Sequence, residues 1–140
     1  MNEVKVLLLE YEKAEEPGSV LRKTLVSAGL AFQIESGSLK PLAQDSVTSL
    51  VSTVSPQMII LVGSGLEAFH QMVSFFPFVK ERFWDVPIMA VIEAGDSEDI
   101  LKLLHTGVDD FVTLPLDPAE VLLRVRRLLE KNVAGDSVSE

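Results

Sequence analysis

Hydrophobic residues fall along this chain in two patterns that alternate from one end to the other. Lys5–Leu9 (KVLLL), Met58–Val62 (MIILV) and Pro87–Ile92 (PIMAVI) are nearly continuous apolar runs, as expected of strands covered on both faces in a parallel sheet. Phe32–Glu35 and Phe111–Leu114 are shorter runs that predict a second and a fifth strand. Between the runs, apolar residues recur at helical spacing. Val20, Leu21, Leu25 and Ala28 mark a first helix over Ser19–Ala28, with Gly29 as its stop. Leu39, Leu42, Val47, Leu50, Val51 and Val54 mark a second helix after Gly37, weakened by its serines and threonines, which compete for backbone hydrogen bonds. Ser64 and Glu67 resemble a capping box that opens a third helix. Asp96 can cap a fourth, in which Ile100, Leu103 and Leu104 share a face.

The last helix has the clearest signals. Asp117 is a natural N-cap, Pro118 suits the first helical position, and Glu120 stands at the third. Val121, Leu122, Val125, Leu128 and Leu129 then form a core-facing stripe. Strands alternating with helices in this way imply a doubly wound α/β fold with right-handed crossovers. The expected sheet has five parallel strands in the order 2-1-3-4-5, the flavodoxin-like solution. No internal repeat or low-complexity segment interrupts it. A single domain is expected over residues 1–131, with the small, polar stretch 132–140 (NVAGDSVSE) as a linker or disordered tail.

Composition narrows the function. A chain of 140 residues suits one compact domain. Its apolar runs are far shorter than the ~20 residues of a membrane span. No basic segment followed by a long apolar core opens the chain, so a cytoplasmic location is expected. The absence of cysteine excludes disulfides, thiolate metal sites and cysteine nucleophiles. A net charge of −9 argues against docking on nucleic acid, which requires clustered cations. Arg124, Arg126, Arg127 and Lys131 do cluster, but late in the last helix, where cations favour the negative end of the helix dipole.

Four segments, VKVLLLEYE, PQMIILV, VPIMAVIEA and GVDDFVTLPLDPAEVLLRV, together resemble the response-regulator receiver domain in the right order and over almost the whole chain. That resemblance implies a phosphotransfer site at the carboxyl ends of the strands. It consists of an acidic pair after strand one that binds magnesium, an aspartate ending strand three that accepts phosphate, a Thr or Ser ending strand four, and a lysine ending strand five. This chain departs at each position. Glu10 keeps the first acid, but Tyr11 stands where the second would be, with Glu12 as a partial substitute. Val62 takes the phosphoacceptor position, Ile92 the hydroxyl position and Leu114 the lysine position. A valine has no oxygen to phosphorylate, and the groups that would bind a phosphoryl group are gone. The expectation is a degenerate pseudo-receiver whose former site is a dry apolar plug of Val62, Ile92 and Leu114, with no metal or cofactor.

The remaining candidates have plainer readings. Ser64 is explained by helix capping, and Gly63-Ser64-Gly65 lacks the lysine and glycine pattern of a phosphate loop. His70 and His105 have no partner ligands at metal-binding spacing. Phe111 matches the aromatic that changes rotamer in active receivers, and equally suits the core. Asp109 and Asp110 read as a solvated turn. Ser74–Trp84 (SFFPFVKERFW) crowds aromatics around Pro77, which is expected to break or kink the third helix and leave some of Phe76, Phe78, Phe83 and Trp84 as a contact patch. The resemblance also implies an interaction face of helix four, strand five and helix five, with Lys102, Asp109, Asp110, Arg124 and Arg127 supplying its charges.

Three functions compete. The first is a phosphorylation-independent interaction or dimerisation module within a two-component signalling or transcription regulator, with a protein partner, an output domain or a second copy as its target. The second is a flavodoxin-like domain that binds a nucleotide or small effector at the strand ends. The third is an enzyme or phosphoacceptor built from Glu10, Glu12 and Ser64, which no paired base and nucleophile supports. The chain is therefore expected not to be an enzyme.

Overall fold

A computed structural model describes residues 5–10, 15–27, 33–34, 44–63, 66–93 and 97–138. The strands are β1 (Val6–Glu10), β2 (Gln33–Ile34), β3 (Met58–Val62), β4 (Ile88–Glu93) and β5 (Asp110–Leu114). The helices are α1 (Glu15–Ser27), α2 (Gln44–Val54), α3 (Leu66–Arg82), α4 (Ser97–Leu104) and α5 (Pro118–Val138). All strand pairs are parallel and the sheet order is β2-β1-β3-β4-β5, as the hydrophobic pattern predicts.

Alternation along each strand sends successive side chains to opposite faces, so an all-apolar strand feeds two core layers. One layer joins Val6, Leu8, Met58, Ile60, Val62, Met89, Val91 and Val112 to Leu21 and Leu25 of α1 and Val121, Val125 and Leu128 of α5. The other joins Leu7, Leu9, Ile59, Leu61, Ile88, Ala90 and Ile92 to residues of α2, α3 and α4, among them Val51, Met72, Phe76 and Leu103. Of the stripe predicted for α5, Val121, Val125 and Leu128 are buried and Leu129 packs against them, while Leu122 is half-buried outside the layer. The start of α5 is as expected: the Ala119 N–H donates to Asp117 Oδ1 at 3.1 Å, and the Val121 N–H to the Asp117 carbonyl at 2.9 Å.

Several expectations need correction. Pro77 does not break α3, which continues to Arg82 with the proline inside it. The ring is exposed, so the carbonyl left without its intrahelical donor can be satisfied by water. Of the four aromatics from which a patch is expected, Phe76 is fully buried, Phe78 and Phe83 are half-buried, and Trp84 is exposed. Leu104 does not share the buried face of α4 with Leu103, being 47% exposed. The backbone of α5 is helical to Val138, which leaves the linker expected over 132–140 neither supported nor contradicted. Gly29, Gly37, Leu39, Leu42 and Asp96, named as helix signals, lie outside the described residues.

Candidate functional site

In a doubly wound sheet, ligands and chemistry gather at the carboxyl ends of the strands, near the point where strand order reverses. In this chain the reversal lies between β1 and β3, whose last residues, Glu10 and Val62, are register partners. Val62 is fully buried in the α1/α5 layer, and the Gly63 N–H that follows it is held by the Val91 carbonyl at 3.0 Å. Leu114, the last residue of β5, is half-buried against the same layer. Ile92 is 4% exposed and belongs to the opposite layer, with Phe111 half-buried against it. The three substituted positions therefore do not form one plug. Strand alternation places Val62 and Leu114 below one face and Ile92 below the other. Tyr11, Glu12, Ser64 and the side chain of Glu10 lie outside the described residues.

The turn from α4 into β5 is built from charge. Gly107 has φ +95°, and a Cβ there would meet Lys80 Cγ at 3.3 Å, so both conformation and space favour glycine. Asp109 is exposed as a residue, but its carboxylate is hydrogen-bonded within the fold. Its Oδ2 accepts the Ile88 N–H at 2.7 Å and the Lys80 ammonium at 3.0 Å, while its own N–H donates to the Ile88 carbonyl at 2.9 Å. Lys80 donates further to the carbonyls of Trp84 at 3.3 Å and Val86 at 3.2 Å. The ammonium thus ties the end of α3 to the start of β4 and to the 107–110 turn.

Asp110 turns the other way. Arg124 Nη1 donates to both of its carboxylate oxygens, at 2.8 and 3.0 Å, while Nη2 reaches back along α5 to Glu120 Oε2 at 3.2 Å. The hydrogen bond that Arg124 donates to Asp110 is the main reason its pKa is raised; partial burial opposes it, and the Asp110 charge and Glu120 add to it. Of the residues expected on an interaction face, Asp109 is committed to internal structure and Asp110 to α5. Lys102 and Arg127 remain exposed.

Apolar residues missed by sequence reasoning share that region. Leu101 of α4 is 55% exposed and Leu123 of α5 is 57% exposed, with Leu104 nearby in sequence. Their signal is legible in retrospect. Leu123 interrupts the polar side of α5, outside the stripe of Val121, Val125 and Leu128, and helical spacing groups it with Glu120 and Arg127. Lys80 was also missed, because a lysine near the end of a helix reads as an ordinary cation favouring the dipole.

No protein-family model matches the chain. Its sequence is 26% identical over 112 residues to the phosphate regulon transcriptional regulatory protein PhoB of Klebsiella pneumoniae, covering 73% of this chain and 46% of PhoB. The chain thus matches about half the length of this curated relative. Its fold is similar to a CheY-like protein, TadZ, of Pseudomonas aeruginosa, with a TM-score of 0.71 at 16% identity, covering 91% of this chain and 94% of that one. It is also similar to HP1043, an orphan response regulator of H. pylori, with a TM-score of 0.67 at 19% identity, covering 90% and 96% respectively. Its sequence is thus similar to response regulators, and its fold is that of CheY-like proteins. Among the described residues no helix is long and apolar enough to cross a membrane.

Proposed function

We propose that this receiver-type chain is a phosphorylation-independent protein-interaction module of a signalling or transcription regulator, working through α4, β5 and α5. The observation that carries the reading is Val62. The residue that ends β3, where the resemblance puts the phosphoacceptor, is a fully buried valine with no oxygen to take a phosphoryl group. Leu114 and Ile92, at the positions that would neutralise and sense the phosphate, are likewise committed to apolar layers. The partner is an output domain or a second copy of the chain. A homodimer through α4, β5 and α5 is the simplest form, since Leu101, Leu104 and Leu123 leave apolar surface on both helices beside Lys102 and Arg127. Residues 1–131 form the working domain, and the segment after them connects it onward. A cytoplasmic setting follows from the same reading, as such regulators act on intracellular targets.

The test is a paired measurement of melting and light scattering with and without magnesium and beryllofluoride. Unchanged melting and unchanged mass support the reading. A magnesium-dependent shift would mean that Glu10 and Glu12 still hold a metal and would overturn it.

A further inference from the structure

The aromatic segment at the end of α3 has no part in the strand-end site. α3 and α5 both run from the carboxyl ends of the strands back to their amino ends, so the turn after α3 lies at the opposite end of the sheet from Val62 and Leu114. Trp84 sits in that turn and is 76% exposed.

The turn that carries it is held on all sides. The Phe83 N–H donates to the Val79 carbonyl at 2.7 Å and the Val86 N–H to the Phe83 carbonyl at 3.0 Å. Lys80, itself fixed by Asp109, donates to the carbonyls of Trp84 and Val86. A large aromatic displayed on backbone that is already ordered gives up little further entropy when a partner covers it. Tryptophan in that situation is the residue type most enriched among binding hot spots.

Charge indicates the partner. Glu81 and Asp85 flank Trp84 and are exposed, and neither makes an ion pair with another described residue. The nearby cations are occupied: Lys80 by Asp109, and Arg82 over the Phe78 ring at 5.0 Å. An exposed indole with two exposed carboxylates close to it in sequence, on a chain of net charge −9, attracts a cation carried next to apolar surface. Nucleic acid and anionic membranes are repelled by the same charges. We infer that the Trp84 turn is a docking point for a protein segment bearing Arg or Lys beside an apolar side chain. This surface is independent of the function proposed above, and either can fail without the other.

Trp84 is the single tryptophan of the chain, so its emission reports on this site alone. The intact chain is titrated with a short, fluorescently labelled amphipathic peptide that carries leucines flanked by arginines, and with its glutamate counterpart. The arginine peptide should shift and quench Trp84 emission, and should bind Trp84→Ala about tenfold more weakly, as loss of a hot-spot aromatic does. The Glu81→Gln, Asp85→Asn double variant should weaken it comparably. Trp84→Ala should melt with the parent, because the side chain it removes lies mostly in water. Equal binding to Trp84→Ala, an unmoved emission, or equal binding of the glutamate peptide would overturn the inference. So would a concentration-dependent emission shift of the chain alone, which would assign the turn to a second copy.

Discussion

Val62, the last residue of β3, and Ile92, the last but one of the neighbouring β4, face opposite layers of the core, Val62 toward α1 and α5 and Ile92 toward α2, α3 and α4. The strand ends expected to form one apolar plug are thus the tops of two separate cores.

Val62→Asp should be strongly destabilising. A carboxylate at a fully buried position with apolar neighbours loses its hydration without gaining a partner, and the valine's burial is forfeited as well. The expected cost is on the order of 3 kcal/mol, read as a lower urea midpoint. Unchanged stability would mean that water reaches the strand end.

Val62→Ala and Ile92→Ala should act independently. Their side chains share no layer, and sites without common partners usually add to within about 0.5 kcal/mol. A double-mutant cycle by urea denaturation tests this. A large coupling energy would restore the single plug.

Asp109 should matter through its hydrogen bonds more than its charge. Asp109→Ala leaves the partly buried Ile88 N–H without its acceptor and Lys80 without its counter-charge, at a cost of about 1–3 kcal/mol. Asp109→Asn keeps an acceptor and should cost less. Amide exchange at Ile88 distinguishes the two, rising sharply only in the alanine variant.

The Asp110–Arg124 pair should contribute modestly. Both side chains are partly exposed, at 25% and 35%, so Arg124→Ala should cost about 0.5–1 kcal/mol, less at high salt. The pKa of Arg124 is raised by Asp110. A base whose folded pKa is raised contributes its full stability below its ordinary value and loses it only as pH climbs through the raised one, far into the alkaline range. The arginine's own titration therefore adds no slope between neutral and mildly alkaline pH. Urea melts at two pH values and two salt concentrations check both points.

Leu101→Glu and Leu123→Glu should leave stability within about 0.5 kcal/mol of the parent, since both side chains are more than half exposed. If α4, β5 and α5 form the proposed interface, each change should reduce self-association. Light scattering across a concentration series would show it, and an unchanged mass distribution would remove this face from the proposal.

The sequence by itself determined the sheet, its order and most of its core. Continuous apolar runs can be satisfied only where both faces are covered, and KVLLL, MIILV and PIMAVI leave little freedom once the helices between them are counted. The capped start of α5 and its stripe were legible for the same reason, because caps and periodicity are local. Tertiary structure alone decided which substituted strand ends meet. Parity along each strand separates Val62 from Ile92, and a one-residue difference at the end of β4 was enough to do so. It alone turned Asp109 and Asp110, neighbours in a polar turn, to opposite partners, Lys80 of α3 and Arg124 of α5. Those pairings span many residues of sequence, where no local spacing rule reaches.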